Sequence, residues 1–223
     1  MPDGQYSFYL HSDDRTDIAA MATISTISQP LRGEFIRTAA TAGAVVYRVD
    51  ARLPALIPVF FAGQLSAVRL CAVMALVSGT WSSLTGLPDE PENGGAALLV
   101  SPETEYQRRR YTLTLQNGRS GERVESVLTE ASSRLRGDLL RNLIITGLAL
   151  HTTAPELPRL LASMPVPPTS VSELQALVQQ MAGTADVSRA AAAVPDTPAT
   201  SDVPVSGADT REIKKNMRRA FGD

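Results

Sequence analysis

Hydrogen-bonding side chains recur at every second position in two short stretches of the chain: Gln5, Ser7, Tyr9 and His11, then Arg110, Thr112, Thr114 and Gln116. Their alternation partners are apolar, Tyr6, Phe8 and Leu10 in the first stretch and Tyr111, Leu113 and Leu115 in the second. A period of two is that of a β-strand with one buried face, so each stretch presents its polar row on the other face. A two-stranded ribbon fits the DNA major groove, and amide, hydroxyl and guanidinium groups match the donors and acceptors of base edges there. Base contacts are therefore expected from Gln5, Ser7, Tyr9, His11, Arg110, Thr112, Thr114 and Gln116. Arg108 and Arg109 bring cationic charge beside the ribbon, suited to backbone phosphates.

A second pair of segments suits phosphates as well. Leu31-Arg32-Gly33-Glu34 and Leu135-Arg136-Gly137-Asp138 each place an arginine and a glycine at the expected start of a helix. There free backbone N–H groups and close approach favour an anion, so Arg32, Gly33, Arg136 and Gly137 are expected phosphate contacts. Ordinary packing of a turn would use the same residues. Arg37 and Arg141, one turn further in, could equally be intramolecular pairing partners.

Catalytic chemistry has little to draw on. The only histidines are His11, read as the last residue of a strand, and His151, read as the end of a helix whose dipole suits it. No Gly-rich phosphate loop or metal-ligand spacing is present, so no enzyme, metal or cofactor is expected. The single cysteine, Cys71, lies in the apolar run RLCAVMALV, cannot form an intrachain disulfide and fits a small core hydrophobe in a reducing cytoplasm. The start of the chain, MPDGQYSF, shows no signal-peptide pattern. The run LIPVFFAGQLSAVRLCAVMALV is broken by Pro58, Gln64 and Arg69 and reads as buried helices, not a membrane span.

The formal charge of −2 opposes a uniformly basic nucleic-acid binder. It hides an uneven distribution. From Tyr106 to Met164 nine arginines face five acids, +4, whereas from Met1 to Gln64 five arginines face six acids, −1.

These halves are two copies of one unit. YSFYLHSDDRTDIAAMATISTISQPLRGEFIRTAATAGAVVYRVDARLPALI from Tyr6 aligns with YTLTLQNGRSGERVESVLTEASSRLRGDLLRNLIITGLALHTTAPELPRLL from Tyr111 with one single-residue gap. Leu31, Arg32, Gly33, Arg37, Gly43, Leu53, Pro54 and Leu56 fall on Leu135, Arg136, Gly137, Arg141, Gly147, Leu157, Pro158 and Leu160. Paired glycines, arginines and a Leu-Pro in register exceed what shared composition explains. Each copy reads strand, helix, turn, helix. A first helix follows Asp13, Asp14 and Asp17 with Ile18, Met21, Ile24 and Ile27 on its apolar face, and a second carries Phe35, Ile36, Ala39, Ala40 and Gly43.

A lone strand leaves both edges unpaired, so the two copies must supply each other's partner. The predicted fold is mainly α with a short antiparallel β-ribbon: tandem ribbon-helix-helix repeats forming a pseudo-dimer within one chain, each with extra C-terminal helices. Residues 1–85 hold the first repeat and its helical cap (64–84), and 86–105 an acidic, Pro- and Gly-rich connection. The second repeat and its cap (171–181) fill 106–183. Residues 184–208 are expected to form a flexible linker and 209–223 a basic amphipathic peptide that becomes helical on a partner.

At RGEFIRTAATAGAVVYRVDARLPALI, residues 32–57, the chain resembles the ParR adaptors of actin-type plasmid partition systems, whose ribbon-helix-helix domain carries a similar R-S-x-x-x-R…T-A-G-L-A-L-Y-R-x-D-x-R-x-P pattern. Arg32, Arg37, Thr41-Ala42-Gly43, Tyr47-Arg48, Asp50, Arg52 and Pro54 match it, and Arg136, Arg141, Thr146-Gly147-Leu148-Ala149-Leu150 and Pro158 echo it. Lys214-Lys215-Asn216 is similar to the family's C-terminal K-K-N. The resemblance implies a cytoplasmic, plasmid-associated bacterial adaptor without catalytic activity. It would coat direct repeats of centromere-like double-stranded DNA by higher-order self-assembly, away from membranes, and capture a ParM-like actin ATPase filament through Ile213, Lys214, Lys215, Met217, Arg218 and Phe221. Repression of its own operon is a further expectation. Family members are typically single-copy chains that dimerise, so a fused pair would display one tail per DNA unit and suit a pseudo-palindromic or asymmetric target. A relaxosome accessory protein at a conjugative transfer origin, or a ribbon-helix-helix repressor or antitoxin, would use the same fold.

Overall fold

The computed structural model describes residues 4–80 and 107–192, with side chains to residue 183. Strand β1 (Gln5–His11) leads into α1 (Arg15–Ser25), a 3-10 turn at Gln29–Leu31, α2 (Arg32–Val49), α3 (Leu53–Phe60) and α4 (Ala67–Ser78). The second repeat runs β2 (Arg108–Thr114), α5 (Arg119–Glu130), α6 (Arg136–Thr153), α7 (Leu157–Ser163) and α8 (Val171–Ala192). The fold is thus mainly helical with one two-stranded antiparallel ribbon, and the repeats are tandem ribbon-helix-helix units paired within the chain.

Local chemistry accounts for the element ends. The Asp14 side chain caps α1 by accepting from the Asp17 N–H at 3.0 Å. Ser66 caps α4 in the same way, and Gly79 ends that helix at φ 71°, a left-handed turn that favours glycine. Pro54 and Pro158 stand in the first turns of α3 and α7, where a missing N–H costs nothing. These two short helices follow the repeat unit as separate elements, which the apolar runs alone did not distinguish from the caps.

The strands pair with Ser7 opposite Thr112, flanked by Phe8 opposite Tyr111 and Tyr6 opposite Leu113. Ser7 and Thr112 hold the same place in their repeats, so the pseudo-twofold axis passes through this pair. Phe8, Leu10, Leu113 and Leu115 are buried beneath the ribbon, with Phe8 stacked on Tyr111 at 5.2 Å.

Under the ribbon α2 crosses α6, and the crossing is set by two equivalent glycines. A Cβ on Gly43 would land on the Leu143 carbonyl, 2.8 Å from the Leu143 Cα, and a Cβ on Gly147 would land on the Ala39 carbonyl. Leu143 and Ala39 are themselves repeat equivalents, so one contact is made twice about the axis. Around it Ala40, Ala44, Leu140, Ile144 and Leu148 are fully buried. Phe35 of α2 also meets His151 of α6 edge-on at 4.9 Å.

One observation refines the expected start of the linker. α8 continues to Ala192, through the first part of the stretch expected to be linker, because Ala190–Ala192 are strong helix formers. The connection at 86–105 and the tail at 209–223 lie outside the described residues. Among the described residues no helix is long and apolar enough to cross a membrane. Cys71 is buried on α4, and burial pushes its thiol above the ordinary value against a hydrogen bond with Gln179.

Three outcomes follow from this packing. Gly43→Ala and Gly147→Ala should each cost about 1–3 kcal/mol in urea unfolding, because the backbones must part. Thr146→Val should instead stabilise by about 1 kcal/mol, since the fully buried Thr146 hydroxyl has no hydrogen-bond partner among the described residues. Cys71 should react with a thiol reagent at pH 8 far more slowly than free cysteine, and at the free rate in urea.

Candidate nucleic-acid interface

The outward face of the ribbon consists of four cross-strand pairs: Gln5 with Thr114, Ser7 with Thr112, Tyr9 with Arg110 and His11 with Arg108. Seven of the eight expected base-contacting residues share it. Gln116 lies past the end of β2, where it lines a cleft described below, and Arg108 takes the outward position opposite His11 instead. Sequence alternation had the parity of Gln116 right but not the length of the strand.

The face is cationic at one end. The Arg108 guanidinium lies 3.5 Å over the Tyr9 ring, and Arg110 donates to the Ser7 hydroxyl at 2.9 and 3.2 Å. Arg109 falls on the opposite parity, its guanidinium 5.2 Å from the Tyr111 ring. All three arginines are exposed, and the strands contribute no acid. Across the axis Gln5 is the equivalent of Arg110 and Tyr9 of Thr114, so the two ends of the ribbon carry different chemistry. His11 is only partly available: its Nδ1 lies 3.3 Å from the Asp17 carboxylate, and its backbone N–H donates to the same oxygen at 2.9 Å.

The starts of α2 and α6 flank the ribbon on its two sides, each beside the strand of the other repeat. Burial raises the Tyr6 phenol above its ordinary value, helped by Glu125 and opposed by Arg136. Burial raises Tyr111 likewise, opposed by Arg109 and Arg32. Both helices begin on an exposed leucine, Leu31 or Leu135, and neither has a side-chain cap. Arg32 Nε donates to the Ile27 carbonyl at 2.8 Å, and Arg136 Nε to the equivalent Ala131 carbonyl at 3.2 Å. A second Arg32 nitrogen reaches the Ser25 carbonyl at 3.3 Å. The two arginines therefore tie down the preceding loop, which leaves more donor capacity on Arg136 than on Arg32. Gly33 and Gly137 differ from the crossing glycines, because a Cβ there would meet nothing closer than 3.8 and 3.5 Å.

One buried ion pair holds the His11 end in place. Asp17, fully buried, accepts from Arg141 Nε of the second repeat at 2.6 Å, and Asp14 lies 3.2 Å from the same guanidinium. Asp17 entered the sequence reading only as a helix-start residue. Its role rests on a long-range contact that no spacing reveals. Arg37, the equivalent of Arg141, pairs with Glu34 on its own helix at 2.6 Å. Among the described residues no cluster of His, Cys, Asp or Glu could hold a metal ion.

A covalently linked pair of ribbon-helix-helix repeats is the class that fold and face define. A family model described as plasmid stability protein matches the chain twice, over residues 4–74 and 109–178, one match per repeat. The chain belongs to this plasmid stability family, which ties it to plasmid maintenance. No curated protein and no solved structure matches it.

Arg141→Ala should cost about 3–5 kcal/mol, because the Asp17 charge would stay buried without its cation. Chemical denaturation checks this. Arg37→Ala, which breaks only a surface pair, should cost under about 1 kcal/mol.

Proposed function

We propose that the protein is a non-catalytic DNA-binding adaptor for plasmid segregation, reading centromere-like repeats with the ribbon and capturing an actin-like filament with residues 209–223. The observation that carries the DNA half is the outward ribbon face: a row of polar cross-strand pairs with two exposed arginines, Arg108 and Arg110, and no acid, between two helix starts. The family's role in plasmid maintenance supports the setting. The filament half rests on the tail sequence, where Ile213, Met217 and Phe221 recur every four residues among Lys214, Lys215 and Arg218, the spacing of an apolar stripe were a partner to make the tail helical.

Base reading falls to Gln5, Ser7, Tyr9, Arg110, Thr112 and Thr114, with Arg108 joining them. Gly33 and Gly137 let the phosphate backbone approach the α2 and α6 N-termini, since neither glycine is demanded by packing inside the protein. This separates structure from function at four glycines, two in each repeat. Gly43 and Gly147 serve the crossing; Gly33 and Gly137 serve the ligand.

Binding to repeats upstream of the gene, measured across a salt series, should give a log–log slope steeper than about −3, at about −0.9 per phosphate neutralised. A flat dependence would remove the DNA reading. Gly33→Ala with Gly137→Ala should leave the melting temperature unchanged or raised while weakening binding to all sequences alike. Thr112→Ala should relax base preference. Deleting 209–223 should preserve specific DNA binding and abolish filament capture and plasmid segregation.

A further inference from the structure

The two repeats differ most sharply beside α1 and α5. In the first, Asp14 and Asp17 supply two carboxylates to Arg141 of the other repeat. The equivalent positions in the second are Gly118 and Gly121, and the equivalent arginine is Arg37. Gly118 starts α5 at φ 133° without a side-chain cap, and a Cβ on Gly121 would land on the Gln116 carbonyl. The turn here is one residue shorter than in the first repeat, so α5 sits hard against the end of the ribbon and no aspartate fits at 121. Ser120 keeps the contact of its equivalent Thr16, donating to the Ala162 carbonyl as Thr16 does to Pro58.

What replaces the carboxylates is an open cleft of about 340 Å³. Its walls include Arg37, Arg119, Ser120 and Arg159, with Glu34 at Arg37. Three arginines against one acid leave +2. Arg119 and Arg159 have no hydrogen-bonding or ion-pair partner among the described residues, and the first-repeat equivalent of Arg159 is Ala55. The second repeat has thus lost both internal anions and gained a cation at one place.

We propose that this cleft binds a phosphate group, which occupies the position held in the first repeat by the Asp17 carboxylate. Arg37 takes the part of Arg141, sharing its guanidinium between Glu34 and the ligand, while Arg119 and Arg159 supply the second and third cation. A phosphate, doubly charged when free and singly charged within a DNA backbone, offers three guanidinium groups more acceptor oxygens than a single carboxylate does. The phosphate is either free or part of a DNA backbone passing the end of the ribbon.

The test uses the full chain, with inorganic phosphate against chloride at equal ionic strength. The melting temperature should rise by about 3 °C or more at a phosphate concentration ten times its dissociation constant. The rise should vanish in the double variant Arg119→Ala, Arg159→Ala. It should also vanish in Ser120→Asp, which puts a carboxylate of the chain's own into the cleft, and circular dichroism should show both variants folded. Equal rises in wild type and both variants would overturn the proposal, as would no rise in wild type. DNA binding in phosphate-free buffer then identifies the source. If the double variant binds DNA more weakly and added phosphate weakens wild-type binding, the ligand is a DNA phosphate; if DNA affinity is unchanged in both, it is free phosphate.

Discussion

The crossing of α2 over α6 is the constraint from which the rest of the molecule follows. Two backbones can approach this closely only where a Cβ is missing, and the chain omits it at Gly43 and Gly147, once per repeat. The approach sets the separation of the two helices and therefore of their N-termini. Those N-termini stand on either side of the ribbon, each beside the other repeat's strand. A small change at the crossing would reach the outer face, since a packed core passes displacement on instead of absorbing it.

The same interleaving explains why neither repeat is a domain. Among the described residues β1 pairs only with β2, and Phe8 and Leu10 need α6 beneath them as much as their own helices. Arg141 neutralises a carboxylate that belongs to the first repeat, Arg48 reaches Glu130 of the second at 2.6 Å, and Thr153 donates to the Leu65 carbonyl. Among these, Asp17 with Arg141 carries the most energy at stake, because a fully buried charge cannot fall back on water. Arg48 with Glu130 is half exposed and contributes little.

Much of this was legible before any coordinates. Alternation at Tyr6–Leu10 and Tyr111–Leu115 placed both strands, and the in-register glycines and arginines placed the repeat. The requirement that a strand edge be paired then joined the two copies. What stayed hidden were facts of contact. Spacing assigns Asp17 to the first turn of α1 but cannot show that its carboxylate meets an arginine more than a hundred residues away. Alternation carried Gln116 into the ribbon because it has no term for where hydrogen bonding stops. The cleft at Arg119 and Arg159 did leave a trace: aligning the repeats with their gap sets two aspartates against two glycines, a loss of charge meaningful only once Arg141 and Arg37 are known to face those positions.

Fusion of the repeats is what permits such differences. In a homodimer every residue occurs twice about the axis, so an arginine on one strand is an arginine on both, and a cleft on one flank is a cleft on both. Here the axis is kept at Ser7 with Thr112, at the crossing glycines and at the helix starts Arg32-Gly33 and Arg136-Gly137, and is broken at the ends of the ribbon and beside α1 and α5. The cationic end of the ribbon, Arg108 and Arg110, has no counterpart at the Gln5 end. A symmetric ribbon would bind a palindromic site equally in two orientations, whereas an unequal one distinguishes them. A protein that coats direct repeats would then lay every copy down facing the same way, and polarity in the DNA would become polarity in the assembly.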